Sequence, residues 1–217
     1  MPAEMSRHRG AVTVAVTREQ FEQGLTYDAY KAQMTRNLDR VEQNESKLQI
    51  DPEDLTALKG LPQPINVLAI AEEWCGDVVA NLPILGRLAR ESGTLNVRVL
   101  QRDTEPGATV MNQYLKNGKY QSIPVFVFLD ADFNELGYFQ ERPDSVTQKR
   151  TERRAAMYAA NPDFGDPSVS PSELPDDVRV RLQVETAHMN EELAPFAARE
   201  VVRELRQLAT GKGSARD

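Results

Sequence analysis

The most distinctive chemistry in this chain of 217 residues is offered by Trp74 and Cys75, its only tryptophan and its only cysteine. Gly76 and Asp77 follow them directly. A cysteine thiolate attacks disulfides, and a single exposed cysteine can exchange with one external disulfide and be released by a second external thiol. A lone cysteine also excludes an internal disulfide framework and agrees with a reducing compartment.

The neighbouring residues predict where this sulfur lies. The apolar run Val67–Ala71 is short and is typical of a buried strand. After the cysteine, apolar residues recur at the three- and four-residue spacing of a helix, at Val78, Leu82, Leu85 and Leu88. We therefore expect Cys75 where a strand ends and a helix begins, at a point where unpaired N–H groups and partial positive charge favour a thiolate.

Carboxylates close to the sulfur oppose the stabilisation of the thiolate by the helix end. The helix end favours the thiolate by only about 0.3–1 kcal/mol, whereas Glu72, Glu73 and Asp77 bring negative charge near the sulfur. Asp77 has two interpretations: it caps the helix, a role worth about 1 kcal/mol, or it polarises a group bound at Cys75. Trp74 is either a stacking surface for a substrate or a shield over the sulfur.

Two separated motifs resemble the thioredoxin family. The first is the order of a strand, Trp-Cys-Gly-X-X and a helix that carries Pro83 one and a half turns in. The second is Ser122–Phe128, which is similar to the family's loop with a cis-proline that leads into a strand. The resemblance implies that the Ile123–Pro124 bond is cis, that Pro124 lies beside Cys75, and that the backbone there hydrogen-bonds an incoming peptide.

The resemblance covers roughly residues 61–143. The closer similarity is to divergent bacterial thioredoxin-like proteins that carry a W-C-G-D motif and a long N-terminal helical extension. Those proteins also have an E-L-G…R-P segment after the core, which matches Glu135–Gly137 and Arg142–Pro143 here.

The chain departs from the thioredoxin pattern inside the motif. The family's resolving cysteine falls on Val78, its buried aspartate on Ala69, and its motif proline on Asp77. The buried aspartate helps to deprotonate the resolving thiol, so both parts of the dithiol machinery are missing. The resemblance therefore implies that the chain is not a dithiol reductase. Because Glu72, Glu73 and Asp77 oppose the effect of the helix end, we also expect the Cys75 thiolate to be less favoured than in a dithiol relative.

The order of the predicted elements favours an α/β fold. Four strands are expected, at Val67–Ala71, Leu95–Val99, Val125–Leu129 and Leu136–Gln140. One helix is expected after Cys75 and another from Asp103 to Asn117. Together with the resemblance, this order predicts a thioredoxin-like three-layer α/β/α sandwich with a mixed sheet. The predicted domain organisation is a helical extension at 1–60, the core at 61–145 and a second helical extension at 146–217.

The N-terminal extension carries several helix signals. Residues 1–17 are either a loose arm or a short edge strand, and Thr17–Gln20 predicts a capped helix start. From Tyr27 to Val41, apolar residues at helical spacing predict one continuous apolar face that packs against the core. Asp51 and Pro52 predict a further helix start.

The C-terminal extension is predicted to contain two helices that are joined by a loop. A charged helix is expected at 145–160, a loop rich in proline at 161–174, and a helix at 176–209 that is interrupted or kinked at Pro195. The apolar residues of this last helix could cover the core or a second subunit, and the tail from Gly211 is expected to be disordered.

Composition limits the partners. The net charge is −7, which argues against nucleic acid as a main partner. No apolar run is long enough to span a bilayer and no signal peptide is evident, so a cytoplasmic location is expected. A metal site is not expected, because His8 and His188 lie far apart without a second cysteine. No cofactor-binding motif is present.

The function predicted from the sequence is monothiol exchange with disulfides of proteins or low-molecular-weight thiols. Cys75 is the predicted catalytic residue, and the predicted substrate contacts are Trp74, Gly76, Asp77, Ile123 and Pro124. The alternative is a thioredoxin-fold interaction module without redox activity, which would use the surface of Trp74 and Pro124. A homodimer through the terminal helices is a further possibility. Arg102 and Asp103 are expected to form a surface ion pair.

Overall fold

The computed structural model describes residues 16–211, in which four strands form one mixed sheet in the order β2-β1-β3-β4. The strands are β1 (Ile65–Ala71), β2 (Leu95–Gln101), β3 (Val125–Leu129) and β4 (Glu135–Gln140). β1 runs parallel to β2 and antiparallel to β3, and β3 runs antiparallel to β4. The expected α/β fold with a mixed sheet is confirmed.

Helices surround this sheet. They are α1 (Arg18–Glu22), α2 (Tyr27–Gln33), α3 (Leu38–Lys47), α4 (Pro52–Lys59), α5 (Gly76–Ser92), α6 (Gly107–Met111), α7 (Asp144–Ala160) and α8 (Asp176–Ala209). Two short 3-10 turns, Pro162–Phe164 and Pro171–Glu173, lie between α7 and α8. Within the described range, no helix is both long and apolar enough to cross a membrane.

The packing of β1 and β3 in the core of the protein fixes the position of the candidate site. Every residue of β3 is buried, as expected for a strand that is covered on both faces. α5 packs against β1 and β2, and α8 packs against α5 and β4. Because β1 leads directly to the motif and β3 follows directly after Pro124, this packing fixes both segments at one edge of the sheet.

A buried carboxylate attaches the N-terminal helices to α5. Glu45 on α3 accepts hydrogen bonds from Tyr27 Oη at 3.0 Å, Lys31 Nζ at 2.9 Å and Arg90 Nη1 at 2.6 Å. Burial raises the pKa of Glu45, but the hydrogen bonds from Lys31, Arg90 and Tyr27 outweigh it and hold this pKa below its ordinary value.

The predicted apolar face from Tyr27 to Val41 is not one continuous helix. α2 ends at Gln33, Met34 is extended, and Asn37 is left-handed with φ 59°. The backbone N–H groups of Thr35 and Arg36 bind the Glu73 carboxylate instead of continuing the helix. The apolar positions still pack inward, because Tyr30, Met34 and Val41 are buried.

The helix predicted from Asp103 to Asn117 is wrong in length, because only α6 (Gly107–Met111) is helical there. Gly107 lies so close to the end of β2 that an added Cβ would be 2.0 Å from the Gln101 carbonyl oxygen. Farther on, Lys116 and Tyr120 form an isolated bridge in place of further helical turns.

Other terminal predictions have mixed outcomes. The capping box of Thr17 and Gln20 is confirmed. Asp51 precedes α4 with Pro52 in its first turn, but its side chain makes no capping hydrogen bond. α8 continues through Pro195 without interruption. The predicted arm or edge strand at residues 1–17 lies outside the described residues except for its last two positions, and His8 and the tail beyond Gly211 also lie outside them.

Candidate functional site

The structure places Cys75 at the junction that the sequence predicts. Cys75 is the N-cap residue of α5, and its backbone N–H donates to the Glu72 carbonyl oxygen at 3.1 Å. The side chain is partly exposed. The Cys75 thiol donates to the carbonyl oxygen of Ile123 at 3.5 Å, and the Ile123–Pro124 peptide bond is cis.

Strand pairing explains why two motifs so far apart in sequence meet at the sulfur. In the antiparallel pair of β1 and β3, Ile70 lies opposite Val125. The end of β1 is therefore beside the start of β3, and Pro124 immediately precedes that start. As a result, Cys75, Ile123 and Pro124 share one edge of the sheet although 48 positions separate Cys75 from Ile123.

Trp74 lies next to the sulfur and is 47% exposed. The guanidinium of Arg102 lies 4.8 Å from the centre of the indole ring, in a cation–π contact. The predicted ion pair of Arg102 and Asp103 is present, with Arg102 Nε donating to Asp103 Oδ1 at 2.7 Å. One face of Trp74 is thus covered by a paired arginine, and a large part of the ring remains accessible to a ligand.

Asp77 binds an arginine rather than capping α5. Arg142 Nε donates to Asp77 Oδ1 at 3.0 Å, and Arg142 Nη2 donates to Asp77 Oδ2 in a second hydrogen bond. Arg150 Nη1 lies 3.6 Å from Asp77 Oδ1. This two-point pairing holds the planar guanidinium in a fixed orientation. The helix-capping interpretation of Asp77 is therefore wrong.

The Asp77–Arg142 pair continues into a charged network. Arg142 also lies 3.1 Å from Glu141 Oε1, and Lys116 Nζ donates to Glu141 Oε2 at 2.5 Å. Asn81 on α5 donates to the Glu141 carbonyl oxygen at 2.8 Å, and this bond supports the left-handed backbone of Glu141, whose φ is 60°.

The pKa values in this network follow from its charges. Burial lowers the pKa of Arg142, but the hydrogen bond and charge of Asp77, followed by the charges of Glu141 and the Cys75 thiolate, raise it above its ordinary value. Burial raises the pKa of Glu141, but Lys116, Arg142 and Arg150 hold it below its ordinary value. Burial and the neighbouring charge of Arg142 lower the pKa of Arg150.

The carboxylates next to Trp74 are bound to backbone N–H groups of other segments. Glu72 Oε1 accepts from the Asp103 N–H at 2.9 Å, and Glu73 Oε2 accepts from the Thr35 N–H at 2.6 Å. The position of the resolving cysteine, Val78, is completely buried, as is Ala69. The site thus presents one sulfur with no second thiol beside it.

Arg142 is a site residue whose role the sequence reasoning missed. The sequence placed it in a segment that resembles relatives but gave it no partner. A usable signal was present, because an aspartate in place of the motif proline requires a compensating charge when it is partly buried.

Comparisons with known proteins agree with the fold. A family model described as thioredoxin matches residues 24–154. No curated protein matches the chain. A Pseudomonas aeruginosa protein of unknown function has a similar structure, with a TM-score of 0.60, 18% identity, and coverage of 90% of this chain and 97% of that one. An HIV epitope scaffold has a TM-score of 0.59 and 17% identity, with coverage of 90% of this chain and 98% of the scaffold.

The two structural likenesses support the fold, and the family match extends over more than half of the chain. The chain belongs to the thioredoxin family.

Proposed function

We propose that this protein carries out monothiol exchange through Cys75 with disulfides of proteins or low-molecular-weight thiols. The observation that carries the proposal is a single, partly exposed sulfur at the N-terminus of α5, 3.5 Å from the Ile123 carbonyl oxygen and beside a cis-proline. Monothiol exchange needs one accessible thiolate and no resolving partner.

The exchange proceeds in two displacement steps. The Cys75 thiolate attacks one sulfur of an external disulfide, a new S–S bond forms to Cys75, and the old S–S bond breaks. The displaced sulfur leaves with the electron pair and takes a proton from water. A thiolate from a second external thiol then attacks the substrate sulfur of the mixed disulfide and releases the Cys75 thiolate. One half of the original disulfide thus leaves as a thiol, and the other half ends in a disulfide with the second external thiol.

Arg142 is the cation whose charge interacts with that of a Cys75 thiolate, since this thiolate is among the groups that raise the pKa of Arg142, after Asp77 and Glu141. Asp77 and Glu141 fix the position of Arg142. Ile123 and Pro124 are themselves buried, so the contacts proposed for an incoming disulfide are with their backbone, and Trp74, which is 47% exposed, is the proposed side-chain contact.

The direct test is the reaction of the reduced protein with bis(2-hydroxyethyl) disulfide, followed by intact mass. We expect a mixed disulfide on Cys75 that forms faster than on free N-acetylcysteine at the same pH, and no adduct with Cys75→Ser. Reaction at the rate of the free thiol or more slowly would contradict exchange. That result would favour the interaction module, for which the half-exposed Trp74 is the supporting observation.

The homodimer remains a separate prediction. Val180 and Val184 on α8 are 55% and 60% exposed and lie one helical turn apart. Light scattering of the full chain at high protein concentration measures its mass in solution, and a monomeric mass would reject the dimer.

A further inference from the structure

A cavity of about 390 Å³ lies beside the candidate site. It is bounded by the end of α2 and the segment after it, through Tyr30 and Arg36. The ends of β1 and β2 complete it, through Glu72, Trp74 and Gln101. Trp74 directly precedes Cys75 in the chain, and the charge of a Cys75 thiolate acts on Tyr30, which also lines the cavity.

Tyr30 contributes a buried hydroxyl that lacks a partner. The residue is 3% exposed, and no described residue hydrogen-bonds its Oη. A buried hydroxyl without a partner is unfavourable. Tyr30 lines the cavity, but its hydroxyl oxygen is covered by neighbouring atoms, so a polar atom of a ligand reaches it only when the lining rearranges. Burial, and then the charges of Glu72, Glu73 and Cys75, raise the pKa of Tyr30, so that the hydroxyl stays protonated and can donate.

Glu72 contributes a carboxylate with spare accepting capacity. It is 7% exposed, and its Oε1 accepts from the Asp103 N–H at 2.9 Å. No side chain in the described part of the chain forms an ion pair with it. A buried carboxylate without a cation is unfavourable, and a ligand ammonium would both neutralise it and donate hydrogen bonds.

The remaining charges around the cavity also favour a cationic ligand. Glu73 adds a second negative charge and Arg36 is the only lining cation among the described residues, so the lining is negative overall. Arg102, which lies over Trp74, is neutralised by Asp103. The charges that act on the Tyr30 hydroxyl are likewise all negative.

We propose that this cavity binds the ammonium end of a small aminothiol disulfide and thereby selects the disulfides that react with Cys75. The Glu72 carboxylate accepts from the ammonium, the Tyr30 hydroxyl donates to a second polar atom of the ligand, and the sulfur end passes Trp74 to reach Cys75. The sulfur chemistry rests on the proposed exchange function, whereas the preference for a cationic amine does not.

The first test compares three disulfides of similar size: cystamine, bis(2-hydroxyethyl) disulfide and 3,3′-dithiodipropionate. Each rate of adduct formation on Cys75 is divided by the rate on N-acetylcysteine. We expect cystamine to be preferred over the neutral disulfide by about ten- to hundredfold, the value of one hydrogen bond to a charged group. Glu72→Gln should abolish the preference, whereas Asp39→Asn, an exposed change of the same charge on α3, should retain it.

Two failures are distinguishable. Equal corrected rates for all three disulfides would overturn the proposed selection and leave the exchange function intact. Absence of any adduct would overturn the exchange function. In that case the cavity is tested without sulfur, by titration with hexane-1,6-diamine against hexane-1,6-diol and detection by the fluorescence of Trp74, the only tryptophan. Binding of the diamine alone supports the cationic site, and equal or no binding overturns it.

Tyr30→Phe provides an independent test. If the hydroxyl waits for a ligand, its removal leaves the Tm of the free protein unchanged or higher, because no hydrogen bond is lost and a desolvated polar group disappears. The same variant should bind cystamine or the diamine more weakly. A lower Tm in the free protein would show that the hydroxyl has a structural partner and would overturn its assignment to a ligand.

Discussion

At the scale of single residues, the pair of Asp77 and Arg142 sets the electrostatics of the site. Their side chains are 18% and 20% exposed, so solvent screens them only in part. Asp77 stands where the thioredoxin motif has a proline. Its carboxylate orients the Arg142 guanidinium, whose charge interacts with that of a Cys75 thiolate.

Substitution of Arg142 tests this electrostatic role. We expect Arg142→Gln to slow adduct formation on Cys75 at neutral pH by about three- to tenfold, because the variant removes the cation that pairs with Asp77 near the sulfur and leaves that carboxylate without its main partner. Adduct formation is followed by intact mass with bis(2-hydroxyethyl) disulfide. Arg153→Gln removes an arginine that pairs with Glu192 on the surface and serves as the control. An unchanged rate in Arg142→Gln would remove Arg142 from the mechanism.

At the scale of elements, Glu45 joins α2 and α3 to α5, the helix that presents Cys75. Tyr27 and Lys31 belong to α2, and Arg90 belongs to α5. Glu45 is 8% exposed, so its hydrogen bonds are well shielded. The N-terminal helices therefore help to hold α5, and with it the position of the sulfur.

Because the pKa of Glu45 is lowered in the folded protein, the stability that this junction contributes depends on pH in a predictable direction. Its pKa in the folded state lies below the ordinary value of 4.5, so its contribution is present above that pH and is lost as the pH falls through the folded-state value. We expect Glu45→Gln to lower the free energy of unfolding by about 1–3 kcal/mol at neutral pH. The difference from wild type should shrink in acid.

Urea unfolding at a series of pH values measures this difference. Glu42→Gln is the matched control, because Glu42 is exposed on the same helix and should change the stability little. A Glu45→Gln variant as stable as wild type at neutral pH would contradict the role of this junction. If the difference in unfolding free energy between wild type and Glu45→Gln did not shrink as the pH fell well below 4.5, the predicted direction of the pH dependence would be contradicted.

At the scale of the whole molecule, α8 connects two hydrophobic clusters. Its C-terminal part contributes Val201 and Leu205 to the main core around the sheet. Its N-terminal part contributes Leu182 to a smaller cluster with Tyr158 and Phe164. The smaller cluster contains few buried residues, so it should open more easily than the sheet.

Truncation of one leucine in each cluster tests this difference. Leu205→Ala should lower the global free energy of unfolding by about 2–5 kcal/mol, because Leu205 is 1% exposed. Leu182→Ala should increase hydrogen exchange in α7 and the first half of α8 while the amides of β1 keep their protection. Hydrogen exchange with mass detection separates the two effects. Loss of protection in β1 in Leu182→Ala would show that the clusters unfold as one unit.

The sequence by itself determined the parts of the protein that depend on local pattern. The apolar runs of β1 and β3 and the helical spacing after Cys75 are set by neighbouring residues, so they could be predicted without coordinates. The placement of Cys75 beside Pro124 followed from the resemblance of two motifs. The helix predicted after Asp103 failed, because the close approach of Gly107 to Gln101 overrides local propensity.

Only the tertiary structure decided which side chains face each other across the site. Asp77 and Arg142 are 65 positions apart, and no periodicity indicates their pairing. Tyr30 has the spacing of a core residue. Only the packing of the elements shows that its hydroxyl is unpaired and that Glu72 lines the same cavity. Secondary structure depends on residues within a few positions, whereas a charge pair or a cavity depends on how separate elements pack, and that is why the fold was predictable and the electrostatics of the site were not.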